Sequence, residues 1–373
     1  MRIVVSGGGT GGHIYPALAV CEGVKRRLPD AELLYIGGST GMETELVPQY
    51  GVPFQAVTAR KLTKPVSLST IGVAGSLLRG FLEARTYLKT FHADAVVGTG
   101  GYVAAAAVLA GVSLKIPTVI LASDVVPGRT NLMLSRFVSR ICVSFPETIG
   151  KFPANKTLVT GFPLRSSVIP PPEVTPQAAR AMFSGLKPDA FTVLVVGGSQ
   201  GAKAINDLIL DSARALMKSG VQIIHQVGAK NIVELEKRAD ELDLVMSGGY
   251  CPIAFLNAEQ VPFAFRAADV IVCRGGMSTL SEAMASGLPA LIIPLPTAYA
   301  DHQTANAKAV ESAGGGKCLP QASLTSQTLI SEIKQLLQSP ETLATMSQKS
   351  LNSGRIHAAD EVVKLTLELV AQQ

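Results

Sequence analysis

The sequence predicts an α/β protein that contains two Rossmann-like, doubly wound domains. Strand candidates alternate with helix-compatible stretches along the chain, and a strand followed by a glycine-rich loop and a helix occurs once in each half, from Arg2 and from Phe191. Because parallel strands need crossover connections, the alternation favours parallel sheets. With 373 residues, the chain is long enough for two domains that each bury a core.

The first strand–loop–helix motif has an apolar strand at residues 3–5 and then five glycines within residues 7–12. Glycines allow the chain to turn sharply and remove side chains that would keep a phosphate away from the backbone amides. We expect a helix to follow, with His13 at its entrance and Pro16 in its first turn. The segment predicts either an anion-binding loop or a tight turn without a ligand.

The glycine spacing in this loop also matches the dinucleotide-binding pattern G-x-G-x-x-G, through Gly7, Gly9 and Gly12. A nicotinamide cofactor further requires an acidic residue at the end of the second strand. The second strand candidate, residues 33–36, ends instead in Gly37 and Gly38. The pattern therefore disfavours a dehydrogenase, and we expect no cofactor.

Further strand candidates continue the alternation in both halves of the chain. The composition changes after residue 160, and we place the domain boundary at Pro163, which gives domains at 1–163 and 164–373. A closing helix at about 357–370 either belongs to the second core or packs back on the first domain. The remaining strand candidates are residues 54–57, 95–98, 118–121, 141–143, 192–196, 222–226, 244–246, 270–273 and 290–293.

The composition narrows the function classes. A hydrophobic content of 47% predicts a fully folded chain, and a net charge of +5 favours anionic partners. Nucleic acid is disfavoured, because the aromatic residues are few and not interleaved with basic ones. We expect no signal peptide or membrane-spanning segment, and hence a cytosolic or peripheral protein. The five cysteines and five histidines are scattered, which predicts reduced thiols and no metal site.

Three polar segments of the second half are candidate ligand sites. Residues 197–202 (GGSQGA) follow a strand and offer backbone amides to an anion. Residues 274–282 add glycines and hydroxyl groups that suit a diphosphate at a helix N-terminus. Glu282 there is placed to accept from ribose hydroxyls or to cap the helix. Residues 301–303 with Asn306 suit a polyhydroxylated sugar or a helix cap.

Together these motifs resemble the MurG family, bacterial transferases that add N-acetylglucosamine to lipid I to give lipid II in peptidoglycan synthesis. The resemblance covers the whole chain, and the motifs keep the family's order and spacing. The segments that carry it are GGGTGGH at 7–13, GMETELVP at 41–48, GTGGYV at 98–103, GFPLR at 161–165, GGSQGA at 197–202, CRGGMSTLSE at 273–282 and DHQTANA at 301–307.

The resemblance implies a glycosyltransferase B-type fold, with UDP-N-acetylglucosamine in the C-terminal domain, lipid I on the N-terminal domain and catalysis in the cleft between them. It places the enzyme at the cytoplasmic face of the inner membrane and links it to cell shape and division. Arg165, Thr10, Gly11 and Gly12 are expected to complete the site. The residues expected to bind the donor are Ser199, Gln200, Met277, Ser278, Thr279, Leu280, Ser281, Glu282, His302 and Gln303.

The implied reaction is an inverting displacement at the anomeric carbon by the 4-hydroxyl of a muramic acid, which requires a base. His13 is our first choice, because a helix N-terminus lowers the pKa of imidazole and keeps it neutral. The alternative is that His13 only fixes the loop. The amides and hydroxyls of residues 276–281, with Arg165, are expected to meet the leaving-group charge, rather than a metal ion.

One segment departs from the family's pattern. Where the family usually has His-Glu-Gln-Asn, this chain has Leu121, Ala122, Ser123 and Asp124, and Phe162 stands where an asparagine is usual. These changes lie in the first domain and concern the acceptor. We expect Asp124 to supply part of the missing polar interactions, by binding sugar hydroxyls, orienting His13 or acting as an alternative base.

An apolar stretch with basic neighbours in the first domain suits an anionic bilayer surface, or else an ordinary buried helix. Two other functions remain open: a glycosyltransferase for another glycolipid or a natural product, and a sugar-nucleotide-binding protein without turnover. The apolar residues of the stretch are Leu68, Ile71, Val73, Leu77, Leu78, Phe81 and Leu82, and the basic ones are Arg60, Lys61, Lys64, Arg79, Arg85 and Lys89.

Overall fold

The computed structural model describes residues 1–59, 69–198 and 201–372. The chain divides into two compact units, Met1–Ser166 with Ile356–Gln373, and Ser167–Arg355. The division therefore follows Ser166, whereas the sequence analysis placed it at Pro163. Each unit contains one parallel sheet, and the predicted α/β class is confirmed.

The first unit contains a seven-stranded parallel sheet in the order β3-β2-β1-β4-β5-β6-β7. The strand β1 is apolar on both faces because both are covered: Ile3 and Val5 pack into one core cluster and Val4 into another. The strands are β1 (Arg2–Gly7), β2 (Glu32–Gly38), β3 (Phe54–Val57), β4 (Ala95–Gly100), β5 (Thr118–Ala122), β6 (Arg140–Val143) and β7 (Thr157–Val159).

Helices cover both faces of this sheet. The first helix packs on the face of Ile3 and Val5, whereas the third to fifth pack on the face of Val4. The helices are α1 (Gly11–Arg27), α2 (Glu43–Gln49), α3 (Ser69–Phe91), α4 (Gly101–Ser113) and α5 (Arg129–Leu134).

The first helix starts earlier than its proline suggests. It begins at Gly11, so Pro16 lies inside the helix and not in its first turn, which corrects the expectation from the sequence. A proline in that position has no amide hydrogen to donate to the carbonyl of Gly12. His13 is the third helical residue, and its amide donates to the Thr10 carbonyl over 3.0 Å.

The second unit contains a six-stranded parallel sheet in the order β10-β9-β8-β11-β12-β13. Its strands are β8 (Phe191–Val196), β9 (Val221–Gln226), β10 (Tyr250–Ile253), β11 (Val270–Cys273), β12 (Ala290–Ile292) and β13 (Gly316–Cys318). Its helices are α6 (Pro176–Arg180), α7 (Lys203–Met217), α8 (Ile232–Glu241), α9 (Gln260–Ala267), α10 (Met277–Ala285), α11 (His302–Ser312), α12 (Ser326–Gln338) and α13 (Pro340–Ser353).

One strand prediction is wrong. Residues 244–246 form turns after α8, and the strand of this region is β10, four residues further on. The apolar run misled because only Leu244 is buried, whereas Met246 is 86% exposed. Positive φ angles at Gly248 and Gly249 end the turns. Pro252 is compatible with β10 because that strand lies at the edge of the sheet.

The last helix, α14 (Ala358–Ala371), packs on α1 within the first unit. Val362 and Val363 are fully buried in the same core cluster as Ile3. At the rim, Arg26 of α1 donates to the Asp360 carboxylate. Among the described helices, none is both long and apolar enough to cross a membrane.

Candidate active site

The candidate residues of the first unit surround the loop between β1 and α1, at the carboxyl end of the sheet, where open parallel sheets bind ligands. Side chains from neighbouring strands hold this loop. The Tyr35 hydroxyl donates to the Gly7 carbonyl over 2.9 Å, and the Thr99 hydroxyl donates to the His13 carbonyl over 2.6 Å. The entrance of α1 is thereby tied to β2 and β4, while Thr10 remains exposed.

The loop also contacts a carboxylate that sequence reasoning missed. Glu43, at the start of α2, is fully buried and accepts from the amides of Gly9, over 3.3 Å, and Gly38, over 3.2 Å. A Cβ atom at Gly38 would stand 3.0 Å from its Oε1. Glycines therefore end β2 because they make room for this carboxylate. The signal in the sequence was an acidic residue two positions after Gly41, within the motif at 41–48.

The His13 side chain lies against β4. Its Nδ1 is buried without a hydrogen-bond partner among the described residues, and a Cβ atom at Gly100 would stand 2.6 Å from it. Gly100, with φ +115°, therefore provides the space that the imidazole fills. Burial lowers the pKa of His13 below its usual value, although the Asp124 charge and a backbone hydrogen bond at Thr99 act in the opposite direction. At neutral pH the imidazole is uncharged.

Asp124 follows β5, and its charge acts on His13, so the structure brings these two candidate residues together. Asp124 is half-buried. The segment before it is held from α5, where the Asn131 side-chain amide donates to the Leu121 carbonyl over 2.8 Å. Leu121 and Ala122 are buried in the sheet core.

Arg165 is buried beside α1, rather than exposed in an open site. Its guanidinium donates to the Tyr50 hydroxyl and lies 4.2 Å from the centre of the Tyr15 ring. The Tyr15 ring in turn packs against the backbone at Gly11. The next residue, Ser166, donates to Glu22 of α1 through its amide over 3.0 Å. These contacts support the start of α1 and commit the guanidinium to aromatic partners.

In the second unit, the loop between β8 and α7 contains Ser199 and Gln200, which lie outside the described residues. The loop is held through its carbonyl groups: the Gln226 side-chain amide donates to Gly198 O over 3.3 Å. No described atom lies within 4 Å of the position that a Cβ atom would take at Gly198. The open space beside this loop is therefore at Gly198, whereas Gly197 packs against Ala202 and Gly201 against Val227.

A buried polar chain that the sequence analysis missed supports the start of α7. The Tyr250 hydroxyl lies 2.8 Å from His225 Nδ1, and His225 Nε2 lies 3.2 Å from Asn206 Oδ1. Asn206 then donates to the Val227 carbonyl over 3.0 Å. Burial lowers the pKa of His225 to about 3, so it is neutral and donates through Nε2. A lone histidine inside an apolar strand was the only sequence signal.

The segment of residues 276–282 forms the first two turns of α10. Met277 and Leu280 have buried side chains, so these residues can meet a ligand only through their backbone. Ser278 and Thr279 are partly exposed, and the first-turn amides of a helix have no intrahelical partner. The buried Ser281 Oγ has no partner among the described residues. This helix start can therefore accommodate an anion with polar groups.

The start of α11 contributes the neighbouring groups. His302 Nδ1 donates to the Tyr299 carbonyl over 2.8 Å, which leaves Nε2 as an acceptor. Gln303 Oε1 accepts from the Leu295 amide over 2.9 Å, so its NH₂ group is the part available as a donor. Asn306 donates to the Gly275 carbonyl over 3.0 Å. The structure thus brings α11 against the loop that starts α10.

Comparison with known proteins agrees with this geometry. Residues 3–143 match the glycosyltransferase family 28 N-terminal domain, and residues 192–362 match its C-terminal domain. The chain is 37% identical, over 100% of its length and 99% of the relative's, to the UDP-N-acetylglucosamine–N-acetylmuramyl-(pentapeptide) pyrophosphoryl-undecaprenol N-acetylglucosamine transferase of Desulforudis audaxviator. It is 38% identical to the transferase of that name from Desulfitobacterium hafniense strain Y51, with 99% of both chains covered.

Solved structures give the same family. The crystal structure of Acinetobacter baumannii MurG superposes with a TM-score of 0.77 at 28% identity, over 98% of this chain and 99% of that one. A UDP-GlcNAc 2-epimerase from Neisseria meningitidis bound to UDP-GlcNAc reaches a TM-score of 0.69 at 16% identity, over 99% of this chain and 100% of that one. The second likeness shows a shared fold alone.

Proposed function

The chain belongs to the MurG family within glycosyltransferase family 28, and from this premise we propose that it transfers N-acetylglucosamine from UDP-N-acetylglucosamine to lipid I. The acceptor is the N-acetylmuramyl-(pentapeptide) pyrophosphoryl-undecaprenol that the names of its relatives specify, and the product is lipid II. The fold is the glycosyltransferase B type, and the activity serves peptidoglycan synthesis.

The observation that carries the donor assignment is the open space at one glycine in each of two loops of the second unit. At Gly198 and Gly276, no described atom lies within 4 Å of the position of a Cβ atom, whereas a Cβ atom at Gly8 would overlap Glu43. A nucleoside diphosphate needs backbone amides that it can approach closely. This supports a donor site in the second unit, at the loops that start α7 and α10.

In the proposed reaction, the 4-hydroxyl oxygen of the acceptor sugar attacks the anomeric carbon of N-acetylglucosamine, and the bond to UDP breaks. His13 takes the hydroxyl proton, for which it must be neutral, and its burial favours that form. The first-turn amides of α10, with the hydroxyls of Ser278 and Thr279, meet the charge that develops on the departing UDP. Arg165 supports α1 through Tyr15 in this proposal.

The experiment that tests the function is a transfer assay with a lipid I analogue and UDP-N-acetylglucosamine, run beside the same assay with diacylglycerol. Turnover of the lipid I analogue alone supports the proposal. Turnover of diacylglycerol alone would assign the chain to another glycolipid, and donor binding without UDP release would make it a binding protein.

The membrane surface is proposed from α3. Leu78 is 60% exposed and Leu82 53%, one turn apart, whereas Leu77 and Phe81 are half-buried and Phe81 packs on the core. Arg79 and Lys89 on the same helix are exposed, which suits an anionic bilayer. Leu68 and the basic residues at 60–64 lie outside the described residues, as do the side chains of Ile71 and Val73.

Replacing Glu282 with Ala should weaken UDP-N-acetylglucosamine binding by about tenfold, because the variant loses a charge-assisted hydrogen bond to a ribose hydroxyl. Isothermal calorimetry measures the change, with Glu341→Ala, an exposed glutamate of α13, as the control. Equal affinities in the two variants would remove Glu282 from the ribose site.

Replacing His13 with Ala should lower kcat by about a hundredfold and leave UDP affinity unchanged, since a general base acts in the transition state. His357→Ala, an exposed histidine of the same unit, serves as the control. Because burial lowers the pKa of His13 below the usual 6.5, the acid decline of kcat of the parent should have its midpoint below pH 6.5. Full turnover by the variant would make His13 a loop-fixing residue.

Asp124→Asn should be tolerated better than Asp124→Ala, since asparagine is the usual family residue and keeps an acceptor oxygen. The Asp124 charge raises the pKa of His13, so its loss should move the acid decline of kcat to lower pH. A pH–rate profile of both variants checks this. If both variants lose the same activity and the acid decline of kcat does not shift, the charge of Asp124 itself is essential and His13 is not the base.

Changing Leu78 and Leu82 together to Ser should reduce binding to anionic vesicles by about tenfold, because two exposed apolar side chains no longer enter the bilayer surface. Activity on a water-soluble acceptor analogue should stay at the parental level. Met246→Ser, which removes an exposed apolar side chain from the second unit, is the control in a vesicle sedimentation assay. Unchanged vesicle binding would reject α3 as the membrane contact.

A further inference from the structure

The carboxylate of Glu43 is buried among backbone amides at the ends of two strands. It is fully buried, and the partners of its two oxygens are backbone amides, Gly9 N for Oε2 and Gly38 N for Oε1. These amides belong to two different strand ends, β1 and β2, whose turns lie side by side in the sheet. Amides of this kind, beside a glycine-rich turn before a helix, are the groups that bind phosphate in other α/β proteins.

The surrounding glycines fit the carboxylate closely. A Cβ atom at Gly8 would overlap Oε1, one at Gly41 would stand 2.6 Å from Oε2, and one at Gly38 would stand 3.0 Å from Oε1. Alanine at any of the three positions would displace the carboxylate. Three glycines from two neighbouring strand-to-helix turns thus form a cradle that is occupied by a side chain of the protein.

The energetics favour an anion at this place. A buried carboxylate costs several kcal/mol unless hydrogen bonds compensate it, and buried amides without an acceptor are costly as well. The cradle satisfies both groups at once. An additional phosphate on the same amides would lie against the carboxylate and be repelled by it.

We propose that Glu43 is a built-in anion that replaces a ligand phosphate in the glycine loop of the first unit and holds the start of α1, with His13, in its working position. Glu43 is a positioning residue in this scheme, because it acts through the loop. The acceptor then meets the exposed side of the loop at Thr10–Gly12 rather than the amide of Gly9. The effect on activity rests on the function proposed above, whereas the structural part does not.

The test is chemical rescue of Glu43→Ala. The substitution removes the atoms of an acetate ion, so acetate is the probe that matches the space. We expect the variant to lose about tenfold or more in kcat/KM for the lipid I analogue, while its affinity for UDP-N-acetylglucosamine stays at the parental value. Acetate, on the order of 100 mM, should raise both kcat/KM and the thermal midpoint of the variant, as expected for a ligand that binds the folded state.

Three controls separate an anion from other causes. Sodium chloride at equal ionic strength should not rescue the variant. Glu45→Ala, which removes an exposed glutamate of the same helix, should behave like the parent with and without acetate. Glu43→Gln should be nearly as inactive as Glu43→Ala and insensitive to acetate, because its NH₂ group fills the space and faces an amide donor.

The proposal is wrong if Glu43→Gln has parental activity, or if acetate changes neither kcat/KM nor the thermal midpoint of Glu43→Ala. A Glu43→Ala protein that does not fold, and that acetate does not restore, rejects it equally. If the parent shows no transfer to lipid I, the proposed function fails, while the effect of acetate on the thermal midpoint still decides the role of Glu43.

Discussion

The structure depends on how the backbone amides and carbonyls at the carboxyl ends of its parallel strands find partners. Every strand-to-helix turn leaves such groups without partners inside the helix, and buried ones must be satisfied. In the first unit, a carboxylate supplies the acceptor: Glu43 takes the amides of Gly9 and Gly38. In the second unit, side-chain amides supply donors: Gln226 and Asn306 take the carbonyls of Gly198 and Gly275. Side chains of neighbouring elements thus satisfy the turns of both units, and in the first unit one of these side chains is a buried carboxylate.

This difference separates the roles of two similar glycine loops. A loop whose amides already meet a carboxylate repels further negative charge, whereas the loops of the second unit leave open space beside the backbone at Gly198 and Gly276. This arrangement supports the proposal that a diphosphate binds to the second unit and that the loop of the first unit positions His13. Arg165 also helps to position the first loop, because its stacking on Tyr15 fixes the ring that packs against Gly11. A sequence pattern of glycines alone does not distinguish these cases, which is why it also matches the dinucleotide-binding fingerprint.

The sequence predicted most of the fold because buried parallel strands such as β1 and β11 are short apolar runs with clear ends. The strand predicted at residues 244–246 is wrong, because only Leu244 of this apolar run is buried. Which residues of such a run are buried is decided by tertiary contacts. In the candidate site, the loops were predictable, since glycines and hydroxyls mark them. Glu43 was not assigned a role, because its partners lie 34 and 5 residues away along the chain. His225 was missed for the same reason: only the fold brings Asn206 and Tyr250 to its two nitrogens.

In the proposed mechanism, Asp124 acts on the chemistry through the pKa of His13. Opposing influences set the pKa of His13: burial lowers it and is the largest, whereas the Asp124 charge and a backbone hydrogen bond at Thr99 raise it. An asparagine in that position has no charge with which to oppose burial, so the imidazole would be a weaker base. By Brønsted behaviour, a base with a pKa closer to the working pH removes a proton more effectively. In the proposed mechanism, the carboxylate of Asp124 therefore makes His13 a stronger base than an asparagine would.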